Sequence, residues 1–326
     1  MKKRILGKSG LEVSEIGLGC WQLGGDFGPV GDATAHDILA AAHRAAINFW
    51  DTADVYGGGL SESRIREYTA DSDAEIIVAT KVGRDGALFP DGYTKDKVRS
   101  NIEGSLQRLG GEAIDLVQLH CIPPAVLEDG EIFTWLEDFQ SDGLIRHFGA
   151  SVETIDEAHV AMRHPGLTSL QIIFNLFRQD AITKLFPMAE KNDVGIIVRL
   201  PLASGILAGK MSRETAFAES DHRNYNRHGE FFSVGETFSG VPYELGLDLV
   251  EHLRTLLPEG MSMAQMAMRW LLDQPAVSTV ITGASRPEQV VENASASQLP
   301  PLNSELHARL TYFYWAEIAP HIQVPV

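Results

Sequence analysis

A chain of 326 residues with 44% hydrophobic and 22% charged side chains can bury one large core, and this composition is not that of a disordered protein. Its 44 acidic residues against 27 basic ones leave a formal net charge of -17, which argues against nucleic acid or an anionic membrane surface as a partner. No stretch approaches about 18 consecutive apolar residues, and the two cysteines, Cys20 and Cys121, cannot form a disulfide framework, so we expect a cytoplasmic protein without a membrane span or a secretion signal.

The first predicted element is an antiparallel hairpin over residues 3–14. Two short segments that favour strands, 3–6 and 12–14, flank the turn-forming run Gly7-Lys8-Ser9-Gly10. Because the regular pattern of the chain begins only afterwards, we interpret the hairpin as a cap on the main domain.

From residue 16 onward, short apolar runs alternate with segments of helical periodicity. Each short apolar run predicts a buried strand, and each segment with apolar residues three or four apart predicts a helix. The strands are predicted at 16–19, 49–51, 76–80, 114–119, 147–151, 169–175, 195–200 and 277–281. The helices are predicted at 34–46, 61–67, 94–109, 132–142, 155–162, 182–192, 243–257, 263–273, 287–297 and 303–313.

Eight strands that alternate with helices predict a single (β/α)8 barrel domain over residues 1–326, with extra helices near the C-terminus and a terminal helix and tail at 303–326. No glycine pattern of Rossmann spacing opens a helix after any strand, which argues against an open, doubly wound sheet. A polar segment, 211–240, is too long for an ordinary connection, and segments of that length are usually functional or mobile.

Three successive predicted strands end on chemically active side chains. Asp51 ends the second strand, Lys81 follows the third and His120 follows the fourth, while Tyr56 lies just beyond Asp51. The carboxyl ends of parallel strands meet at one mouth of a barrel, so we expect the four side chains to converge there. A lone aspartate or histidine at a strand end is as often a cap or a structural hydrogen-bond partner as a catalyst, so the prediction depends on the joint placement.

These four side chains suit proton transfer to a carbonyl oxygen. A phenol has an ordinary pKa of about 10, and a neighbouring ammonium favours the phenolate, so we expect Lys81 to lower the pKa of Tyr56. Asp51 would hold the ammonium of Lys81 in place, and His120 would donate a hydrogen bond to a substrate oxygen. The set therefore predicts protonation of a carbonyl oxygen while a hydride reaches the carbon.

The chain resembles the aldo-keto reductases. The segment Asp51-Thr52-Ala53-Asp54-Val55-Tyr56-Gly57 and the strand ends Thr80-Lys81 and Leu119-His120 are similar to the catalytic tetrad of that family in residue type, order and spacing. The resemblance extends from the hairpin to the terminal helix. It implies a nicotinamide cofactor bound across the barrel mouth, with Tyr56 as general acid, Lys81 and Asp51 as the pair that tunes it, and His120 as the residue that orients the carbonyl.

The resemblance also implies where the cofactor binds. Ser151 and Gln171 match the positions that hold the nicotinamide carboxamide. The run 201–210 is similar to the loop that folds over the pyrophosphate, with contacts from Pro201, Leu202, Ser204, Gly205, Leu207 and Lys210. Residues 283–293 resemble the adenosine end, with contacts from Gly283, Ser285, Arg286, Gln289 and Asn293.

Three positions depart from the family pattern. Arg199 stands where the nicotinamide is commonly stacked on an aromatic ring, Val152 follows Ser151 where many members carry asparagine, and Gly283 stands where a basic residue is often found. Arg286 is therefore the cation expected to hold a ribose 2′-phosphate. The resemblance thus implies that NADP(H) is favoured, while NAD(H) stays open as the cofactor.

The resemblance implies a small-molecule carbonyl or sugar substrate, and we expect its pocket to be lined by loops near the mouth. For each candidate residue, ordinary packing is an equal alternative. The candidates are Trp21, Phe27, Arg84, Phe89, Cys121 and Arg199. The segment 211–240 is interpreted as a substrate lid, with an oligomer contact as the alternative, because loops after late strands lie above the site of a barrel. A homo-oligomer is compatible with the sequence.

Two other functions stay open. The first is a regulatory subunit that keeps the barrel and the cofactor without useful turnover, and the complete set of four side chains argues against it. The second is a metal-dependent barrel hydrolase or sugar isomerase, which needs several histidine or carboxylate ligands on strand ends. Lys81 with Tyr56 does not provide such ligands, so no metal site is predicted.

Overall fold

The computed structural model describes residues 1–25, 28–73, 75–219 and 221–325 of the chain. In these residues eight parallel strands close into a barrel, which confirms the predicted fold, and an antiparallel hairpin precedes them. The hairpin strands are β1 (Lys3–Ile5) and β2 (Glu12–Ser14). The barrel strands, each paired with the next and the last with the first, are β3 (Ile16–Gly19), β4 (Phe49–Asp51), β5 (Ile77–Val82), β6 (Ile114–His120), β7 (Ile145–Ser151), β8 (Ser169–Ile173), β9 (Gly195–Arg199) and β10 (Val277–Gly283).

Helices pack around the outside of the barrel, except for the short helix His222–Tyr225, which lies in the 211–240 segment. Within the described parts of the chain, no helix combines the length and the apolar character that a bilayer span requires. The helices are α1 (Asp32–Arg44), α2 (Leu60–Ala70), α3 (Lys95–Leu109), α4 (Pro124–Asp129), α5 (Glu131–Ser141), α6 (Ile155–Ala161), α7 (Ala181–Lys184), α8 (Phe186–Lys191), α9 (His222–Tyr225), α10 (Tyr243–Arg254), α11 (Met263–Leu272), α12 (Pro287–Ser295) and α13 (Ser304–Phe313).

Two differences from the predicted helices have a local cause. The predicted helix at 182–192 is instead the pair α7 and α8, which meet at Leu185, because Pro187 in the first turn of α8 has no amide hydrogen to continue a helix. Helix α4 is not predicted by the sequence pattern, since six residues are too few to show helical periodicity.

Helix α3 shows how the sequence directs one face of a helix onto the barrel. The hydroxyl of Thr94 accepts a hydrogen bond from the amide of Lys97 and caps the first turn. Val98, Ile102 and Leu109 are buried and lie on one side of the helix. Burial of this apolar stripe against the barrel stabilises α3, while its other faces carry charged residues.

Side chains of the barrel strands alternate between two environments. Phe49, Ala79, Leu116 and Ile197 belong to a buried cluster inside the barrel, whereas their neighbours along each strand pack outward in the larger core. Residues two positions further along the same strands therefore also face the interior, at the carboxyl end of the barrel. The residues placed there by this alternation are Asp51, Lys81, Gln118 and Arg199.

The hairpin closes the barrel at the amino-terminal ends of the strands. Leu6 and Val13 join the buried cluster inside the barrel. Gly7, in the turn, has a φ of +48°, and a Cβ at this position would lie 2.4 Å from the amide nitrogen of Gly195 at the start of β9. Only glycine accommodates both this backbone conformation and this close approach.

Arg4 binds the hairpin to the segment that leads into β10. Its guanidinium donates to the carbonyl oxygens of Leu272, Gln274 and Val277 at 2.5, 3.2 and 2.7 Å. It also pairs with the buried carboxylate of Glu15 at 2.7 Å. One side chain therefore satisfies four acceptors at the closed end of the barrel.

The C-terminal tail holds the base of the 211–240 segment. The amide of Gln323 donates to the carbonyl oxygen of Gly240 at 3.0 Å. The guanidinium of Arg178 donates to the carbonyl oxygen of Pro325 at 2.8 Å. These contacts connect the last residues described in the structure to the same side of the barrel as the 211–240 segment.

We predict that Arg4→Ala lowers the free energy of unfolding by about 2–4 kcal/mol, because three carbonyl oxygens and Glu15 lose a partly buried donor. Lys3→Ala is the matched control on the same strand. The ammonium of Lys3 pairs with Glu12 in solvent, so its loss should cost less than about 1 kcal/mol. Urea unfolding followed by circular dichroism measures both variants, and equal losses would contradict the role assigned to Arg4.

Candidate active site

A deep cleft with a cavity volume of about 540 Å³ opens at the carboxyl ends of the barrel strands. Asp51, Tyr56 and His120 line one end of the cleft, and Arg286 and Asn293 line the other. Residues predicted for catalysis and residues predicted for the adenosine end of a cofactor therefore share one cavity.

At the floor of the cleft, the side chain of Lys81 is buried, with 1% of its surface exposed. Its Nζ donates to Oδ1 of Asp51 at 2.5 Å, to the carbonyl oxygen of Thr52 at 2.8 Å and to the phenol oxygen of Tyr56 at 3.2 Å. Burial opposes the charge on Lys81, but Asp51 and Tyr56 outweigh burial and raise the pKa of Lys81 above its ordinary value. Lys81 is thus a fixed positive charge beside the phenol.

The second oxygen of Asp51 is bound by two amides. Oδ2 accepts hydrogen bonds from Nε2 of Gln118 at 2.9 Å and from Nε2 of Gln171 at 2.7 Å. Gln118 is not among the residues predicted from the sequence, although a polar residue at an inward-facing position of a buried strand signals a hydrogen-bond partner inside the barrel. Gln171, predicted to bind the cofactor, also helps to hold Asp51.

The pKa of Tyr56 is raised in the structure, whereas the sequence predicts that it is lowered. Desolvation raises the pKa of Tyr56 to about 12. Lys81 acts in the opposite direction, as expected, but its effect does not outweigh desolvation. The phenol is therefore protonated at neutral pH and is available as a proton donor.

His120 faces Tyr56 across the floor of the cleft. The two ring centroids are 5.9 Å apart, and the ring planes are inclined by 85°. Desolvation, followed by the charges of Lys81, Arg84 and Arg199, holds the pKa of His120 well below its ordinary value. The imidazole is therefore neutral at neutral pH and keeps one N–H donor.

The loop that follows β9 lines the middle of the cleft. Leu207, predicted to contact a cofactor, lies instead in the hydrophobic core with 0% of its surface exposed and is not among the cavity-lining residues. The short helical turn Ala203–Ala208 turns the bulky Ile206 and Leu207 inward, which leaves smaller neighbours at the cavity. The predicted residues of this loop that do line the cavity are Pro201, Leu202, Ser204, Gly205 and Lys210.

Helix α12 begins at the far end of the cleft, where Gly283, Ser285, Arg286, Gln289 and Asn293 all line the cavity. Arg286 is the N-cap residue, and no side chain in the described residues caps the first turn of α12. The amide and the hydroxyl of Ser285 both donate to Oε1 of Gln289, at 2.8 and 3.2 Å. Pro287 has no amide hydrogen and the amide of Gln289 donates to the carbonyl oxygen of Arg286 at 3.2 Å, so the helix dipole and the guanidinium of Arg286 are what would attract an anion to this helix start.

Gln22 also lines the cleft, and no pattern in the sequence predicts this role for it. Its amide fills the space beside Gly283, where a Cβ would lie 2.0 Å from Nε2 of Gln22. The absence of a side chain at Gly283 thus leaves room for Gln22 at the end of the cleft where α12 begins. Nearby, the ammonium of Lys210 is 3.5 Å from the carboxylate of Glu292.

Two of the residues predicted to line a substrate pocket lie at the end of the cleft lined by Asp51, Tyr56 and His120, which is termed the reacting end because these are the predicted catalytic residues. The indole of Trp21 stacks on Tyr56, with ring centroids 5.8 Å apart and planes inclined by 19°. Cys121 lies with its Sγ 3.6 Å from Oγ of Ser151. Both residues line the cavity beside the predicted catalytic groups.

Phe89 lies away from this pocket. Its ring is 43% exposed and packs under the guanidinium of Arg84 at 5.8 Å, and it is not among the cavity-lining residues. The loop after β5 therefore presents Arg84, rather than Phe89, to the cleft. Phe27, also predicted for the pocket, lies outside the described residues.

The 211–240 segment forms part of the cleft wall. Ser204 holds it in place, since its hydroxyl donates to the carbonyl oxygen of Glu236 at 2.9 Å and accepts from the amide of Phe238 at 3.2 Å. The residues of this segment that line the cavity are Arg223, Tyr225, Phe232 and Glu236.

Ion pairs surround Cys121 at the reacting end. Nη1 of Arg199 is 3.2 Å from Oε1 of Glu236, and Nη2 of Arg84 is 2.9 Å from Oε1 of Glu153. Ligand atoms of Cys121, Glu153 and Glu236 lie within 4.8 Å of one another. Because each carboxylate already pairs with a guanidinium, we interpret the group as an ion-pair network.

The chain is similar to known proteins along nearly its whole length. The model of the Aldo/keto reductase family matches residues 15–314. A probable voltage-gated potassium channel subunit beta of Oryza sativa subsp. japonica is 31% identical over 319 residues, which cover 93% of each chain. The NADH-specific methylglyoxal reductase of Escherichia coli (strain K12) is 28% identical over 315 residues, which cover 91% of this chain and 93% of the relative. The solved structure of a glycerol dehydrogenase from Gluconobacter oxydans superposes with a TM-score of 0.79 at 28% identity and covers 99% of this chain and 97% of its own.

We predict that Lys81→Met lowers the free energy of unfolding by about 3–5 kcal/mol, because it leaves the buried carboxylate of Asp51 without its cation. Lys184→Met is the matched control. Nζ of Lys184 is also 2.5 Å from a buried carboxylate, that of Asp180, but half of the Lys184 side chain is exposed, so the loss should stay below about 1 kcal/mol.

The double variant Lys81→Met/Asp51→Asn should recover much of this loss, because it leaves no unpaired charge and keeps an oxygen for Gln118 and Gln171. Urea unfolding of the three variants measures the effect. A Lys81→Met protein as stable as Lys184→Met would contradict the importance of the buried pair.

Proposed function

The chain belongs to the aldo/keto reductase family, and we propose that it transfers hydride between a nicotinamide cofactor and a small carbonyl compound. In one direction it reduces aldehydes or ketones, and in the other it oxidises the corresponding alcohols or sugars. The observation that carries the proposal is the contact of the buried Lys81 ammonium with the phenol of Tyr56 at 3.2 Å.

The polar groups of the cleft fit a nicotinamide dinucleotide. Ser151 and Gln171 would hold the carboxamide, the run 201–210 the pyrophosphate, and the start of α12 with Arg286 the adenosine end. The start of α12 supports this assignment, because the positive end of the helix dipole attracts phosphate oxygens and Arg286 adds a cation there. When bound, the cofactor supplies or accepts the hydride.

The residues of the chain handle the proton. The phenol of Tyr56 is protonated at neutral pH, so it can donate to a carbonyl oxygen as negative charge develops there. The Lys81 ammonium stabilises the phenolate that remains, and Asp51 holds that ammonium in position. The neutral imidazole of His120 donates a hydrogen bond to the same carbonyl oxygen. In the oxidative direction, the phenolate form of Tyr56, stabilised by the Lys81 ammonium, takes the proton from the alcohol.

Two relatives support a small, polar substrate. One is named as a methylglyoxal reductase and the other as a glycerol dehydrogenase, and both names describe compounds of three carbons. The reacting end of this cleft combines the indole of Trp21 with polar groups such as His120 and Glu236. We therefore infer that its substrates are small aldehydes, ketones or hydroxylated carbonyl compounds.

A cofactor-binding regulatory subunit without useful turnover is a second candidate, which the relative named as a channel subunit favours. The contacts of Lys81 with Asp51 and Tyr56 favour turnover instead. An absorbance assay of NADPH oxidation with a panel of aldehydes, ketones and aldoses separates the two. Turnover with any of them supports the reductase, whereas cofactor binding without any turnover would support the subunit.

We further infer that the site prefers NADP(H) to NAD(H). Arg286 is a cation at the N-terminus of α12, where the helix itself attracts an anion. The Escherichia coli relative is named as NADH-specific, so membership of the family does not by itself fix the preference. Arg286 is the residue on which the preference depends.

We predict that Tyr56→Phe lowers the rate of carbonyl reduction by about 10²- to 10⁴-fold, because it removes the general acid. Tyr93→Phe is the matched control, since the hydroxyl of Tyr93 donates to the carbonyl oxygen of Gly83 at 2.6 Å and has no role in the proposed mechanism. It should turn over at a rate near that of the wild type. NADPH absorbance measures the rates and fluorescence titration confirms cofactor binding. A folded Tyr56→Phe protein with the wild-type rate would remove Tyr56 from the mechanism.

We predict that Arg286→Ala weakens NADPH binding by about tenfold or more while sparing NADH, as expected for one charge-assisted contact of about 1.5–3 kcal/mol. Lys210→Ala is the matched control, because Lys210 lies in the loop proposed to cover the pyrophosphate, which the two cofactors share. It should weaken both cofactors equally. Fluorescence titration of both cofactors tests this, and equal losses in Arg286→Ala would mean that Arg286 does not contact the 2′-phosphate.

A further inference from the structure

The side chain of Arg199 extends across the mouth of the barrel and contacts residues that follow two other strands. It is the last residue of β9, yet its Nη2 donates to the carbonyl oxygen of Val152, which follows β7, at 3.2 Å. The same nitrogen lies 3.7 Å from Sγ of Cys121, which follows β6. The residue is only 8% exposed. These contacts fix the guanidinium at one position in the cleft wall.

The guanidinium remains charged in this position. Burial opposes its charge, but Glu236, followed by other neighbours, outweighs burial and raises the pKa of Arg199 above its ordinary value. Arg199 is also among the charges that, after desolvation, lower the pKa of His120. The charge of Arg199 therefore acts at the reacting end of the cleft.

The charge also lies close to the groups proposed to hold the nicotinamide. Sγ of Cys121, which contacts Arg199, is 3.6 Å from Oγ of Ser151. Oγ of Ser151 is in turn 3.5 Å from Oε1 of Gln171. Arg199 and the proposed carboxamide ligands thus belong to one contiguous set of side chains that lines the cavity.

The compensating negative charge comes from a different part of the chain. Glu236, in the 211–240 segment, places Oε1 3.2 Å from Nη1 of Arg199, and both side chains are largely buried. The nearby Arg84 has its own partner in Glu153, at 2.9 Å. Removal of Glu236 would therefore leave Arg199 without its nearest carboxylate.

The two oxidation states of a nicotinamide ring differ by one positive charge, since the oxidised ring is a cation and the reduced ring is neutral. A guanidinium near the ring disfavours the oxidised form, and a carboxylate paired with that guanidinium offsets the effect. We propose that Glu236, acting through Arg199, sets the relative affinity of the cleft for oxidised and reduced cofactor. The inference rests on the nicotinamide site of the proposed function.

The test measures the dissociation constants of NADP⁺ and NADPH by fluorescence titration. Glu236→Gln leaves Arg199 unpaired, so it should raise the ratio of the NADP⁺ constant to the NADPH constant by about tenfold, the order expected for one unpaired charge in a partly buried site. Arg199→Met leaves the carboxylate of Glu236 unpaired and should lower the ratio. The double variant Glu236→Gln/Arg199→Met removes both charges, so its ratio of dissociation constants should lie near the wild-type value. The single variant Arg199→Lys keeps a cation opposite Glu236, so its ratio should also lie near the wild-type value.

The matched control is Glu292→Gln, which removes a carboxylate 3.5 Å from Lys210 at the adenosine end and should leave the ratio unchanged. Equal weakening of both oxidation states by Glu236→Gln and by Arg199→Met would overturn the inference, because the ion pair would then only hold the 211–240 segment in place. A wild-type protein that binds neither form would overturn the proposed function as well. If the wild-type protein binds both forms but every variant has the wild-type ratio of dissociation constants, the inference about Glu236 and Arg199 would be overturned while the proposed function would stand.

Discussion

A buried ammonium must have its charge compensated and its hydrogens bonded, and the candidate site depends on how Lys81 meets this requirement. Asp51, the carbonyl oxygen of Thr52 and the phenol of Tyr56 all lie within 3.2 Å of Nζ. The three partners come from the end of β4 and the turn after it, and the parallel pairing of β4 with β5 brings them to Lys81. The contact that satisfies the lysine therefore also fixes the position of the phenol.

The positions of the proposed catalytic residues could be predicted from the sequence because Asp51, Lys81 and His120 each follow a short apolar run. In a parallel barrel such strand ends share one mouth, so no long-range information is needed to place them together. Gln118 could have been found by the same reasoning, since it lies between the inward-facing positions of Leu116 and His120 on β6.

Other features depend on tertiary distances that a sequence pattern does not contain. The turns of two loops decide that Leu207 faces the core and that Phe89 lies outside the cleft. The net pKa shift of Tyr56 depends on two opposing effects, desolvation and the field of Lys81, and only the structure shows that desolvation is the larger. The pairing of Arg199 with Glu236 joins segments that are distant in the sequence.

If the chain moves a hydride from a nicotinamide cofactor to a carbonyl carbon, a deuterium on the cofactor must reach the product. An aldehyde or ketone is therefore reduced with NADPH deuterated at both hydrogens of the nicotinamide C4, and the product is measured by mass spectrometry. We expect an alcohol that carries one deuterium at the former carbonyl carbon. An alcohol without deuterium, or no alcohol from any carbonyl compound of a broad panel, would contradict the proposed function.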